Sequence, residues 1–182
     1  HNTAVGYNVL TNTTGNSNTG VGTTALTDNT TGQYNVAVGM NVLRGQTTSH
    51  YNTAIGNNSL QDANRTADTD GYNTALGYNA GNTGTNDITT GNKNTLLGAS
   101  TAASAVAGTN QTVIGYGASG QADNSVTLGN ADVTAIYMSQ DKGATVYAAA
   151  LGFGSTAMTL PTDDGSANQM LKTDGNGTLS WA

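Results

Sequence analysis

The stretch Asn2-Thr3-Ala4-Val5-Gly6 is the first copy of a five-residue phrase that returns along most of the chain. Each later copy ends in a glycine that follows an aliphatic residue, and most copies begin with Asn. The later copies occupy residues 18–22, 35–39, 52–56, 73–77, 94–98, 111–115 and 125–129. Self-similarity at a short spacing is typical of a solenoid, whose units cannot bury a core alone. The phrase therefore predicts a solenoid of about eight coils.

The spacing of the copies indicates the class of solenoid. Successive repeat glycines are separated by 16, 17, 17, 21, 21, 17 and 14 residues. Helical repeats need about 33 residues or more, and Asn, Thr and Gly disfavour helix. We therefore expect almost no α-helix before residue 130. The predicted fold is all-β, a parallel β-roll or β-solenoid over residues 1–130.

Alternation along a strand predicts which side chains fill the coil. The aliphatic residue and the residue two before it share one face, and the residue between them faces the other way. We expect large aliphatics such as Val38 and Ile55 to point into the coil. The small residues would then form an outer stripe at Ala4, Gly20, Ala37, Ala54 and Ala75. A second apolar position predicts a second short strand in each coil, at Leu10, Leu26, Leu43 and Leu60.

The remaining segments depart from the repeat. Two long coils contain polar insertions at 61–70 and 82–91. Insertions in a solenoid project from it as loops. Such loops either form a binding face or are surface loops without a function. After Gly129 the phrase ends. Residues 131–182 contain the turn signals Asp164-Gly165, Asp174-Gly175 and Asn176-Gly177, which predict a short β-rich neck or cap with Leu179 and Trp181 facing inward.

Composition excludes several classes of function. The 182-residue chain has eleven carboxylates, all Asp, against five Lys and Arg, for a net charge of −6. A chain so short of cations lacks the electrostatic footprint for nucleic acid. The sequence contains no run of about 18 apolar residues, so membrane insertion is not expected. There are no cysteines, so neither disulfides nor thiolate metal sites are expected.

Candidate catalytic and metal-binding groups are few. A polysaccharide-cleaving site needs a pair of carboxylates about 5–9 Å apart. Asp62, Asp68 and Asp70 could ligate Ca²⁺, but their spacing lacks the pattern of an EF-hand loop, and solvated turn residues are the preferred interpretation. His1 and His50 are too far apart in the repeat to share a site. We therefore predict no enzyme activity, no metal and no cofactor.

Tyrosines recur at two positions of the repeat. Stacked coils would align each set into a column, which could bind glycan by stacking on sugar rings or could instead cover coil corners or fill a seam between chains. The set before the repeat Asn is Tyr34, Tyr51 and Tyr72, and the set after the repeat glycine is Tyr7, Tyr78 and Tyr116. The repeat Asn residues are predicted to be structural, because side-chain amides ladder along parallel stacks and bond to turn backbone.

The phrase resembles the Asn-Ser-Val-Ala-Ile-Gly repeats of the YadA-type head of trimeric autotransporter adhesins, and residues 124–129 read Asn-Ser-Val-Thr-Leu-Gly. The resemblance covers about 130 residues. It implies a left-handed roll wound by each of three chains, and therefore a homotrimer.

Residues 160–182 are similar to the segment that precedes an endosialidase-type intramolecular chaperone in phage tail-fibre proteins. The two resemblances together imply a structural and adhesive segment of a trimeric tail fibre on a virion, in contact with neighbouring fibre segments and a host-surface glycan or receptor. A bacterial trimeric adhesin head on the cell surface is the alternative, followed by a polysaccharide-degrading tailspike.

Overall fold

The computed structural model describes residues 1–62, 71–139, 150–153, 156–159, 161, 165–176 and 178–182. The chain forms two compact units, His1–Ile136 and Tyr137–Ala182. The first unit extends past residue 130, where the sequence predicts the end of the repeat region. Of the first predicted insertion, at 61–70, residues 63–70 lie outside the described residues, and these include Asp68 and Asp70. The predicted turn at Asp164 also lies outside them.

The first unit is a parallel β-solenoid, as predicted. Eight strands form one sheet in sequence order, and every neighbouring pair is parallel. No helix interrupts the described part of this unit. The strands are β1 (Thr3–Val5), β2 (Thr19–Val21), β3 (Val36–Val38), β4 (Thr53–Ile55), β5 (Thr74–Leu76), β6 (Thr95–Leu97), β7 (Gln111–Ile114) and β8 (Ser125–Leu128).

Each described coil contains one named strand, so the prediction of a second strand in each coil is wrong. The residues expected in it lie in turns instead, at positive φ: Leu10 (53°), Leu26 (53°), Leu43 (48°) and Leu60 (47°). All four are nevertheless buried. The turn keeps the apolar side chain inside the coil without a strand, because the left-handed backbone reverses the chain around it.

The predicted facing of the strand residues is also wrong. Ala37 and Ala54 are fully buried, whereas Val38 is half-buried and Ile55 is exposed. The predicted outer stripe of small residues therefore lies in the coil interior, except that Ala4 is exposed in the first coil. The reason is the buried Asn that precedes each of the strands β2 to β6, which points inward and fixes the alternation. The turn residues then fill the remaining space: a Cβ added to Gly20 would lie 2.5 Å from Val9 Cγ1.

Farther along the solenoid, the large core side chain comes from the strand and the small one from the turn, the reverse of the earlier coils. The inward strand residue grows from Ala75 to Leu96. In the turn column, Leu60 is followed by Gly81, whose added Cβ would lie 2.6 Å from Leu60 Cδ2 and 2.9 Å from Leu96 Cδ1. The glycine thus makes room for Leu96, and the core stays filled although the large side chain has moved from the turn to the strand.

The repeat glycines hold neighbouring coils at close approach. Gly56 has a φ of 121°, and its N–H donates to Val38 O of the preceding coil at 2.9 Å. A Cβ on Gly56 would lie 2.5 Å from Gly77 O. Glycine is therefore required here both by backbone conformation and by space.

The second unit contains two antiparallel hairpins. Strands β9 (Ala150–Phe153) and β10 (Thr156–Thr159) form one, and β11 (Leu171–Thr173) and β12 (Leu179–Trp181) form the other. Asp174 Oδ1 organises the second turn by accepting hydrogen bonds from Asn176 N at 2.7 Å and Thr178 N at 3.0 Å. Leu179 and Trp181 are half-buried around an exposed Ser180, which confirms their predicted alternation.

We predict that Gly56→Ala lowers the free energy of unfolding by more than about 1–3 kcal/mol, because a backbone carbonyl must move in addition to the cost of the positive φ. Chemical denaturation measures the change. Gly84→Ala is the matched control, since Gly84 also has a positive φ (81°) but nothing lies within 4 Å of its added Cβ. Equal losses in the two variants would contradict the close-approach argument.

Candidate functional site

A buried amide ladder runs through the solenoid beside the strands. The side chains of Asn18, Asn35, Asn52, Asn73 and Asn94 are 0–2% exposed. At each step the Nδ2 group donates to the preceding Oδ1, at 3.1–3.3 Å. The backbone N–H of each Asn donates to the same oxygen at 2.9–3.1 Å. The predicted structural role of this column is confirmed.

The ladder also bonds to the turn backbone, as expected. Asn35 Nδ2 donates to Ser49 O at 2.9 Å, and Asn94 Nδ2 donates to Gly108 O at 2.7 Å. Each buried amide is thereby satisfied within its own coil and across to the next. These Asn side chains have no contact with solvent and hold the scaffold on which the surface columns are arranged.

The ladder ends at a glutamine and a carboxylate. Gln111 N donates to Asn94 Oδ1 at 3.0 Å, and Gln111 Nε2 donates to Asp123 Oδ1 at 3.0 Å. Thr109 N donates to the same carboxylate oxygen at 2.8 Å. The hydrogen bond from the Thr109 backbone, followed by that from Gln111, lowers the pKa of Asp123 from its ordinary value of 3.8.

The outer face of the sheet carries a column of aliphatic side chains. Val21 and Val38 are half-buried, and the other members are 36–57% exposed. Strand register places each one directly over the next. The column consists of Val5, Val21, Val38, Ile55, Leu76, Leu97, Ile114 and Leu128. It is a continuous apolar stripe along the described solenoid.

A second outward column lies two residues before the aliphatic one. Six of its eight members are Thr, and Val36 and Val126 take the other two places. The Thr members are exposed or half-buried: Thr3, Thr19, Thr53, Thr74, Thr95 and Thr112. We call the two columns together the outer strand face. Its rows run parallel to each other from β1 to β8.

Tyr34, Tyr51 and Tyr72 form a contiguous stack at one border of the outer strand face, two residues before strands β3, β4 and β5. The ring centroids of Tyr34 and Tyr51 are 5.1 Å apart with 1° between the planes, and those of Tyr51 and Tyr72 are 5.0 Å apart with 3°. The predicted column is confirmed. We call these three residues the tyrosine ladder.

The three tyrosines of the tyrosine ladder adopt a backbone conformation that is unfavourable for tyrosine. Their φ values are 58°, 59° and 48°, in the left-handed region where a bulky side chain is an outlier. Asn110 and Asn124 occupy the same column with the same conformation, and Asn tolerates it better. The column position therefore requires positive φ but not Tyr. Strained residues of this kind are common at functional sites.

Tyr7, Tyr78 and Tyr116 do not form a second ladder. They share a column at the other border and are 70%, 55% and 76% exposed. Three coils separate Tyr7 from Tyr78, and one coil separates Tyr78 from Tyr116. Since neighbouring parallel strands are about 4.8 Å apart, these rings cannot touch. The three residues share the predicted column, but no ring in it is stacked on another, unlike Tyr34, Tyr51 and Tyr72.

Sequence reasoning missed Lys93 as a site residue. It occupies the next step of the ladder column after Tyr72, with a φ of 59°, and its N–H donates to Gly71 O at 2.8 Å. Its side chain is exposed. The signal was available, because Lys93 precedes the repeat residue Asn94 just as Tyr72 precedes Asn73.

The structure does not gather the other candidates into one site. Asp62 is exposed, and His50 Nδ1 accepts a hydrogen bond from Gln33 N at 2.9 Å. Among the described residues no three His, Asp or Glu side chains are placed to hold a metal ion. The insertion at 82–91 closes on itself, since Asp87 Oδ1 accepts from Thr83 N and Gly84 N at 2.6 and 2.7 Å while Ile88 is buried.

Comparisons with models of protein families, with curated proteins and with solved structures give no match. Within the part of the chain that the structure describes, no helix has the length and apolar character needed to cross a membrane. Function is therefore inferred from the geometry of the chain.

We predict that Asn52→Asp destabilises the solenoid by about 3 kcal/mol or more. Asn52 Nδ2 donates to Gln46 Oε1 and Ser49 Oγ, both at 3.0 Å, and a carboxylate would face these oxygens without a proton to donate. Asn41→Asp is the control, because Asn41 is only half-buried. If the denaturation midpoints of the Asn52→Asp and Asn41→Asp variants fall by the same amount, the buried amide ladder has no special role in stability.

Asp123 gives a pH-dependent prediction. A lowered pKa in the folded state stabilises the fold above the ordinary value of 3.8, and this contribution is lost as the pH falls through the lowered value. The native chain should therefore be more stable than Asp123→Asn near neutral pH, and the difference should shrink in acid below pH 3.8. Thermal melts across that range measure it, and a constant difference would contradict the prediction.

Proposed function

We propose that this chain is a non-enzymatic structural and adhesive segment of a homotrimeric attachment fibre, of the kind found on phage tails. The observation that carries the proposal is the aliphatic column on the outer strand face. A fibre segment needs a stiff, elongated scaffold and a surface that joins it to identical copies. The parallel solenoid supplies the first, and the outer strand face fits the second.

The outer strand face is suited to burial rather than to solvent. Exposed apolar residues scattered singly need no explanation, whereas a contiguous stripe is typical of an interaction surface. Here eight aliphatic residues follow one another in strict register along the described sheet. Burial of such a stripe is favourable by roughly 25 cal/mol per Å² of apolar surface.

A copy of the same chain is the partner that best matches this face. An identical solenoid presents rows with the same spacing, so the aliphatic columns can meet along their whole length. Closed symmetry leaves no apolar stripe open to further association. The number three comes from the resemblance to trimeric adhesin heads and tail fibres.

The adhesive role is inferred from the surface that stays exposed to solvent in the proposed trimer. The low charge and the abundance of Asn and Thr, about 30% of the chain, give a neutral hydrogen-bonding surface that suits a host-surface glycan. The six tyrosines predicted as glycan-binding residues are all more than 40% exposed in the single chain. We place the chain on the virion, between neighbouring fibre segments.

Light scattering of the native chain should give three times the chain mass of 18.3 kDa. The double variant Val38→Asp and Ile55→Asp should lose the trimer, because it places like charges opposite one another in the interface. Val106→Asp is the matched control, since Val106 is an aliphatic residue exposed to 47% that lies outside the strands.

A native chain that scatters as a stable 18.3 kDa monomer would refute the assembly. Persistence of the trimer in the double variant would show that another surface holds it. Binding of the native assembly to host cells, measured by fluorescence, tests the adhesive role separately from the oligomeric state.

A further inference from the structure

The tyrosine ladder offers few free ring faces on which sugar rings could stack. Tyr51 lies between two parallel rings at 5.1 and 5.0 Å, so both of its faces are already covered. Because the stacked faces meet one another, the ring edges are the part of the column left to meet a ligand. The three side chains are nevertheless 42–51% exposed.

The hydroxyls form a regular row. The three residues share one column position, one backbone conformation and nearly parallel rings, so their phenol oxygens repeat at close to the 5.0–5.1 Å interval of the centroids. Each phenol O–H both donates and accepts. A row of such groups at constant pitch matches an extended polymer that repeats a hydroxyl-bearing ring at a similar interval.

One end of the row carries a positive charge. Lys93 occupies the next column position, about 4.8 Å farther along the solenoid. Its side chain is exposed to solvent. In a chain with only five Lys and Arg, an exposed cation at the next position of the column favours a ligand that carries negative charge.

We propose that the tyrosine ladder and Lys93 bind a linear acidic polysaccharide, which runs parallel to the solenoid axis. The phenol hydroxyls bond to successive sugar hydroxyls edge-on, and Lys93 pairs with a carboxylate on the polymer. This inference rests on the proposed attachment function and names its ligand class. It assigns the site to Tyr34, Tyr51 and Tyr72, and it excludes Tyr7, Tyr78 and Tyr116.

The tyrosine ladder is ordered by its own packing. Asn fits the same column position at residues 110 and 124, yet three consecutive coils carry Tyr there at positive φ. Stacking between the rings offsets part of that cost and fixes their orientation before any ligand arrives. A row held in place in this way loses little side-chain entropy on binding.

The experiment uses the native assembly and four immobilised acidic polymers: polygalacturonate, alginate, hyaluronate and polysialate, each beside its carboxyl-reduced neutral form. We expect binding to at least one acidic polymer and weaker binding to its neutral form. The triple variant Tyr34→Phe, Tyr51→Phe and Tyr72→Phe keeps the rings and removes the hydroxyls. It should bind at least about tenfold more weakly.

Two further variants make the test specific. Tyr7→Phe, Tyr78→Phe and Tyr116→Phe together are the matched control and should bind like the native chain. Lys93→Gln should weaken binding to the acidic polymer, reduce its dependence on salt and leave binding to the neutral form unchanged.

Three results would overturn the proposal: no binding to any of the four acidic polymers, equal binding by the ladder variant, or an altered oligomeric state in that variant. The last would place the ladder in a seam between copies. A trimer that still adheres to host cells in any of these cases would leave the proposed function standing.

Discussion

The buried amide ladder is the interaction on which the rest of the solenoid depends. A coil of this size would normally exclude polar groups from its interior, because an unpaired buried amide is costly. Here each Asn donates to the coil before it and accepts from the coil after it. The buried amides therefore have their hydrogen bonds only when the coils are stacked in register. The ladder thus makes the stacking cooperative and fixes which strand residues face outward.

Much of the scaffold is predictable from the sequence. The repeat glycines and their spacing predict a parallel β-solenoid, and the Asn column predicts the amide ladder. Both predictions depend only on the spacing of the repeats in the sequence. The inward facing of the strands was predicted incorrectly, since hydrophobicity suggests that Val38 is inside and Ala37 outside. What decides the question is the polar Asn35, whose inward position sets the phase of the alternation. That phase depends on tertiary hydrogen bonds and not on the local pattern.

The candidate site was predictable to a similar extent. Repeat position aligns Tyr34, Tyr51 and Tyr72, and the structure confirms their stack. Repeat position also places Tyr7 and Tyr78 in one column, but a shared column does not imply contact when several coils intervene. Ring orientation could not be foreseen at all. It depends on a left-handed backbone conformation that the sequence does not display at a tyrosine, and it decides whether ring faces or ring edges meet a ligand.

The exchange of volume between Gly81 and Leu96 bears on how such a chain can change in length. Coils before this point pair a large turn residue with a small strand residue, and the coil that begins at Leu96 reverses the pairing. Duplication or deletion of a coil within either block preserves complementary neighbours. The same event across the junction would set two leucines, or two small residues, against each other. A coil can therefore be exchanged without loss of packing only for one that carries its large side chain at the same position.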